Sequence, residues 1–320
     1  MLSRANLIGA LLFLAAGVVG LFLPPWLVSL LTIAFANALV VLGLIILWRA
    51  GLVPFGQALY YCSGAYTVAL LARWGGIGDA FVLLIAGGLV AGVVAFLTGF
   101  LLARYREIFF AMLSLAMSMI LYGVLVKTET LGSTDGFGVD PPHFLGYAPH
   151  GDTLGFTLYW FVLLVCAIAA LVIGAYFKSV AGALAVPIRD NEIRVEFLGI
   201  SVTRLIHMKL VIAGTLAGVG GALAAMTIGH VDPNMAYWTT SGGFVFVTIL
   251  AGAGSVAAAF VGSLVFEIVR SFAFAVLPGF WQMTLGIVLL LTILFLPEGL
   301  GSLATRFRRR KPDTKPVATS

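Results

Sequence analysis

Charge is scarce in this chain. Asp, Glu, Lys and Arg make up 10% of its 320 residues, while 61% are hydrophobic. A water-soluble domain carries about 25% charged residues, so a surface that faces water on every side is excluded. Cysteine is nearly absent too. Cys62 and Cys166 are the only two. Both lie inside apolar runs, which excludes a disulfide framework and leaves them as packing residues. No Gly-x-x-x-x-Gly-Lys-Ser/Thr run occurs, so the chain does not hold ATP through a phosphate-cradling loop of that kind. A nucleophile elbow and a zincin motif are also missing. The four histidines are scattered without metal-ligand spacing. An enzyme, a metal site and a bound cofactor are therefore not expected.

What the chain has is apolar runs. They span 7–23, 27–48, 55–72, 81–103, 108–126, 157–177, 208–228, a stretch from 243 to 277, and 281–296. A bilayer core is crossed by about 20 apolar residues of helix. The first run begins after Arg4 like a secretory leader, but it is long for one and is followed by Pro24-Pro25-Trp26 without a small-x-small cleavage site. It reads as a first membrane helix. The fold class is therefore all-α, a polytopic transmembrane helical bundle forming one domain over 1–320.

Cation placement sets the count of crossings. The stretch 243–277 is interrupted by Gly252-Ala253-Gly254-Ser255. One crossing there would put the cation-rich segment before 208 and the basic tail at 303–320 on opposite sides, against the positive-inside rule. Two crossings, turning at Gly254-Ser255, give ten helices with both termini in the cytoplasm. The inner side then holds Arg4, Arg49, Arg104, Arg106, Lys178, Arg189, Arg194, Arg204, Lys209 and the six cations of the tail. That is fifteen of eighteen, with Arg73, Lys127 and Arg270 outside. Nine helices plus a re-entrant hairpin is the alternative, because 243–252 is short for a crossing. The net charge of +5 follows this membrane pattern, and nucleic acid is not an expected partner. The tail reads as charge held near lipid headgroups.

Two loops are large. The outer one, 127–156, contains Gly132-Ser-Thr-Asp-Gly-Phe-Gly138, Pro141-Pro142, His143 and His150. The inner one, 178–207, carries a short amphipathic segment. Pro187 suits a first helical turn. Asp190 and Glu192 lie near the N-terminal end, where the helix dipole favours anions. Asp190 and Arg194 are spaced i,i+4 with the acid first. Ile193 and Phe197 share a face, and Gly199 suits a C-terminal stop. A helix lying in the headgroups is one reading. The carboxylates Asp190, Glu192 and Glu196 favour the other, docking on a protein, since an anionic leaflet repels them. Among the runs, Gln57, Ser63, Tyr66 and Thr67 give one helix a polar side, and Asn37 does the same in the run before. They either line a solute path or pair with other helices. Gly88-x-x-x-Gly92 and Gly214-x-x-x-Gly218 suit close helix approach. Glu267 and Arg270 are spaced for an ion pair.

The inner segment resembles the coupling loop of bacterial ABC importer permeases. More closely it resembles the branched-chain amino acid ABC transporter permease family, with Ile188-Arg189-Asp190-Asn191-Glu192 and Leu198-Gly199-Ile200 matching that family's Ile-Arg-Glu-Asn-Glu and Leu-Gly-Ile. Matches continue along the chain in order. They are Gly51-Leu-Val-Pro-Phe-Gly-Gln-Ala58, Gly64-Ala-Tyr-Thr67, Thr134-Asp135-Gly136, Ala217-Gly218 with Gly220-Gly-Ala-Leu223, and Leu296-Pro-Glu-Gly-Leu300. Pro54 stands where the family has serine, and Gly132-Ser133 departs from its Thr-Gly-Gly loop.

The resemblance implies a permease subunit in a bacterial inner membrane, moving branched-chain amino acids or a related small polar organic solute. It implies cytoplasmic ATPase subunits that bind the ATP, a second paralogous permease, and a periplasmic binding protein that delivers solute near Thr134, Asp135 and Gly136. Coupling to the ATPases would fall on Arg189, Asp190, Asn191, Glu192, Ile193, Glu196, Phe197 and Gly199, as one rigid helix with Ile193 and Phe197 in an ATPase groove and Arg189 and Glu192 at its rim. A self-sufficient secondary transporter or channel is the competing class, and it would need ionisable groups deep in the membrane. The topology is tested directly: a cysteine placed at Thr314 or Ser320 is expected to react with an impermeant thiol reagent only from the cytoplasmic side. Labelling from outside would overturn the ten-helix order.

Overall fold

The computed structural model describes residues 13, 15–252, 254–276, 279–295 and 299. The basic tail, residues 1–12, and Leu296, Pro297, Glu298 and Leu300 of the last motif lie outside the described residues. After a helical stretch at 15–20 come α1 (Pro25–Trp48), α2 (Gln57–Gly75), α3 (Ala80–Leu102), α4 (Glu107–Lys127) and α5 (Asp152–Lys178). The inner loop holds α6 (Val180–Ala183), α7 (Ala185–Asp190) and α8 (Glu192–Glu196). Then follow α9 (Val202–Ile228), α10 (Trp238–Ala251), α11 (Val256–Val276) and α12 (Trp281–Phe295). Strand β1 (Phe137–Gly138) in the outer loop pairs antiparallel with β2 (His230–Val231) just beyond α9.

Among the described residues six helices, α1, α3, α4, α5, α9 and α11, are long and apolar enough to cross a membrane by length and composition. The stretch at 15–20, α2, α10 and α12 complete the ten apolar segments read from the sequence. Helix α1 is apolar all round and buried on every side from Ala38 to Leu47, as a central helix must be. Helix α9 packs along it in the middle, and α2 packs in turn on α9 and α3. The outer helices α3, α4 and α11 keep wide apolar faces exposed, such as Leu89, Phe109 and Phe272. In a soluble protein such surface would be a defect, whereas in lipid it is the expected exterior.

Small residues set the central packing. The two Gly-x-x-x-Gly spacings face one another across α3 and α9: Gly214 abuts Ala95, Gly218 abuts Ala91, and Gly88 abuts Val219. A side chain at Gly64 of α2 would collide with the Gly218 backbone, and one at Gly221 with the Tyr61 carbonyl. Three helices therefore approach to backbone contact at these points.

The stretch 243–277 does turn at Gly252, which has φ +77°, and gives two helices. The first starts at Trp238, not Gly243. Its 14 residues span about 21 Å at 1.5 Å per residue, short of a core about 30 Å thick. Residues 229–237, which hold β2 and a short 3-10 turn at Pro233–Ala236 but no α-helix, supply the missing depth. They descend from the outer hairpin until Ser118 Oγ of α4 donates to the Ala236 carbonyl at 2.7 Å. Ser118 stands eleven residues into α4, about 16 Å from its start. Residues 49–56 do the same from the inner side, rising until the Phe55 N–H donates to Ser114 Oγ at 3.0 Å.

These two broken crossings are related by an inverted repeat. Helix α1, the lead 49–56, α2 and α3 recur as α9, the lead 229–237, α10 and α11, with α2 starting at 57 and α10 at 238. Helix α3 packs along α9 as α11 packs along α1. The copies run in opposite directions through the bundle, the architecture of many transporters, whose discontinuous helices meet at mid-depth. The central approach is testable. Gly218→Leu is expected to lower the thermal midpoint and the monodisperse yield of detergent-purified protein, since overpacking costs about 1–3 kcal/mol and here backbone must also move. An unchanged midpoint would contradict the backbone contact.

Candidate functional site

The inner platform is built by burial and charge together. Ile188 and Val195 are buried in a cluster with Leu47, Leu52, Leu102, Phe110, Ile206 and Leu210, which seats α7 and α8 on the ends of α1, α3, α4 and α9. Lys209, fully buried in α9, donates to the Ala181 carbonyl at 2.8 Å and the Tyr176 hydroxyl at 3.1 Å. An unpaired buried ammonium would be very costly, so this contact fixes the start of the loop to α9. The Arg106 Nε donates to Glu192 Oε1 at 2.5 Å and joins α8 to the start of α4. The Arg189 side chain leans on Gly51, whose φ is +78°, in the lead to α2.

The expected single helix over 189–199 is not what forms. It breaks at Asn191, which is extended (φ −163°) and caps α8 by accepting from the Arg194 N–H at 3.1 Å. A side-chain oxygen that captures a backbone N–H starts a new helix rather than continuing the old one. Asp190 sits 3.6 Å from Arg189, not against Arg194. Glu192 points inward to Arg106 instead of standing at an outer rim. Gly199 has φ +79° and ends the segment as a left-handed stop. Ile193, Phe197 and Leu198 project away from the bundle, Phe197 being 86% exposed. Glu196 is exposed beside them.

On the opposite side the outer loop is tied down at three places. Strand β1 pairs with β2, and the Val139 N–H donates to the Gly229 carbonyl at 2.9 Å. Gly136, with φ +68°, lies so close to Val231 and Asp232 that a side chain would collide with their backbone. Thr134 Oγ1 lies 3.2 Å from Asp135 Oδ1, and His230 Nε2 lies 3.1 Å from the Asp135 carbonyl. Asp79 caps α3 through the Phe81 and Val82 N–H groups and also accepts from Leu145 in the loop. The Leu145 bond first, with those of Val82 and Phe81, holds its carboxyl below the usual carboxylate range. A cavity of about 250 Å³ opens beside the hairpin, lined by Ser29, Thr32, Pro141, Leu158, Thr227 and Gly229.

The five polar residues read as path or pairing groups do not gather at that cavity. Ser63 and Thr67 donate to carbonyls of their own helix. Gln57 is fully buried; its Nε2 donates to the Ala213 carbonyl at 3.1 Å, and its Oε1 has no partner among the described residues. The same holds for Asn37 Oδ1 and the Tyr66 hydroxyl. Glu267 and Arg270 form their ion pair at 2.7 Å. Sequence reading missed Ser114, Ser118 and Ser241, which hold the broken crossings. The Ala58 N–H donates to Ser241 Oγ at 3.0 Å. The available signal was Pro54-Phe55-Gly56 and Asp232-Pro233-Asn234 just ahead of apolar runs, turn chemistry where a crossing was already due.

A bundle of inverted repeats with broken crossings, a rigidly seated platform at one end and an ordered hairpin at the other defines the membrane component of a transport system. The chain belongs to the family described as branched-chain amino acid transport system / permease component, whose model matches residues 26–296. It is similar to the high-affinity branched-chain amino acid transport system permease protein LivM of Escherichia coli K12, 27% identical over 321 residues, covering 90% of this chain and 74% of that one. It is also similar to the permease protein LivH of the same kind of system in Salmonella typhimurium LT2, 25% identical over 291 residues, covering 84% and 92%. No solved structure matches it. The chain is accordingly a permease component and a multi-pass protein of the bacterial inner membrane.

Proposed function

We propose that this chain forms the translocation path of an ABC importer for branched-chain amino acids or a related small polar organic solute, and is driven by separate cytoplasmic ATPase subunits through residues 185–199. The observation that carries this reading is the split character of that segment. Ile188 and Val195 are sunk into the bundle, while Ile193, Phe197 and Leu198 stand in solvent on the cation-rich side. Exposed apolar side chains on a rigidly seated platform are anchors for a partner groove. Carboxylates Asp190 and Glu196 beside them oppose burial in an anionic leaflet.

In this reading Ile193 and Phe197 are the anchors, with Arg189, Asp190, Asn191 and Glu196 around them. Glu192 transmits motion to Arg106, and Gly199 ends the platform. ATP binds to the partner subunits. A second, paralogous permease completes the path, and a periplasmic binding protein delivers solute to Thr134, Asp135 and Gly136. Asn37, Gln57, Ser63, Tyr66 and Thr67 remain the candidates for lining the path. The separate names LivM and LivH within the Escherichia coli system support a paired permease. One feature favours a secondary transporter, the buried acid Glu267 in α11. Its ion pair with Arg270 is the structural alternative to proton coupling.

The test is co-purification from detergent with solute-stimulated ATP hydrolysis in proteoliposomes. Phe197→Ala is expected to weaken ATPase retention, since loss of a buried anchor costs about 2 kcal/mol, roughly thirtyfold in affinity. Glu192→Lys is expected to keep part of that retention but to uncouple hydrolysis from uptake. Wild-type retention and stimulation in both variants would sink the coupling role. Uptake that needs no ATP and collapses with the proton gradient would favour the secondary transporter.

A further inference from the structure

Helix α4 is poorly buried for a bundle helix. Only Phe110, Ser114, Ser118 and Leu125 of its 21 residues are buried. The first three are spaced i, i+4, i+8 and form one narrow stripe. The stripe meets three different things. Phe110 sits in the cluster that seats the inner platform. Ser114 Oγ holds the lead to α2 by accepting from Phe55 N–H, and donates to Ala111 in its own helix. Ser118 Oγ, fully buried, holds the lead to α10 by donating to the Ala236 carbonyl. One helix face thus grips both broken crossings a single turn apart. The crossings themselves are joined through Ser241 and the Ala58 N–H.

The inner end of the same helix is held by the platform. Arg106, its N-cap residue, is paired with Glu192 of α8. The next residue, Glu107, has φ +53°, a left-handed conformation that is strained for a non-glycine residue. Strain of this kind clusters at switch regions.

We propose that α4 is the rod that carries platform movement to the two broken crossings, with Ser114 and Ser118 as its positioning residues. The proposal rests on the docking role given above to residues 185–199. When the ATPases close, Glu192 shifts Arg106, α4 tilts about Glu107, and the serine pair displaces residues 55–56 and 236–237 together. The inner lead is non-helical and the outer one holds only a single 3-10 turn at Pro233–Ala236, so both can change backbone angles without breaking an α-helical ladder. Because one rod holds both, the inner-side lead and the outer-side lead move in concert, which is the requirement for alternating access.

The experiment uses the full complex of both permeases, ATPases and binding protein in proteoliposomes, with leucine as the probe solute. The wild-type complex must first retain its ATPase and couple hydrolysis to uptake; if it does not, the functional reading fails before α4 is examined. Ser114→Ala/Ser118→Ala is then expected to keep ATPase retention and basal hydrolysis while uptake per ATP falls about fivefold, the scale of one hydrogen bond. Thr128→Ala, whose hydroxyl bonds only the Val124 carbonyl of the same helix, is expected to match wild type. Arg106→Ala and Ser118→Ala should be non-additive in uptake per ATP, as groups on one line are. Unchanged coupling in the double serine variant, or full additivity, would overturn the proposal. A structural collapse of that variant is met by keeping the serines and placing spin labels at Lys127, the exposed end of α4, and Ile228. A distance change between α4 and α9 on nucleotide trapping supports the rod, and a fixed distance overturns it.

Discussion

Lipid offers no hydrogen bonds. A backbone group left bare in a bilayer costs several kcal/mol, and this is why spanning segments are normally continuous helices. This chain breaks two of its crossings and satisfies the exposed backbone with three serine hydroxyls. Ser114 takes the Phe55 N–H, Ser241 takes the Ala58 N–H, and Ser118 covers the Ala236 carbonyl. The remaining architecture follows from the need to bring those hydroxyls within reach. Helix α4 must present a serine at each of two consecutive turns. Helices α2, α3 and α9 must meet at backbone contact, which only Gly64, Gly218, Gly221 and small partners such as Ala91 allow.

The same constraint links the two faces of the membrane. The inner lead starts at Gly51, beneath Arg189 of the platform, and the outer lead starts at the hairpin that carries Thr134, Asp135 and Gly136. The serine contacts, α4 and α2 lie between them. Each end is separately pinned. Buried Lys209 fastens the loop after α5 to α9, and Asp79 fastens the outer loop to α3. Rigid ends joined by a hinged middle suit a protein that must pass between two states while its docking surfaces keep their shape.

Much of the bundle was legible in sequence because lipid imposes length and polarity so directly. The apolar runs and the interruption at 252–255 that separates α10 from α11 could both be read from spacing. The platform was legible as a segment but not in shape. Asn191 looked like one more polar residue of a helix, yet its side chain can capture the Arg194 N–H, and tertiary seating of Ile188 and Val195 decided in favour of the break. The pairing of Glu192 with Arg106 was not legible, because Arg106 lies 86 residues away in sequence. The serine contacts that hold the broken crossings were missed for a similar reason. Serine inside an apolar run usually bonds its own helix, as Ser63 does, and periodicity does not distinguish that from a hydroxyl holding another segment. The inverted repeat left no strong residue identity, because what recurs is the order of helix, lead and helix.

The account depends most on the platform meeting a separate ATPase. The direct measurement is site-specific photocrosslinking in native membranes, with a photoreactive amino acid placed in turn at Phe197 and at Val195. The account predicts that the Phe197 probe captures a cytoplasmic ATPase chain, while the probe at buried Val195 reacts only within this chain. Absence of any ATPase adduct from Phe197, with solute uptake intact, would contradict it.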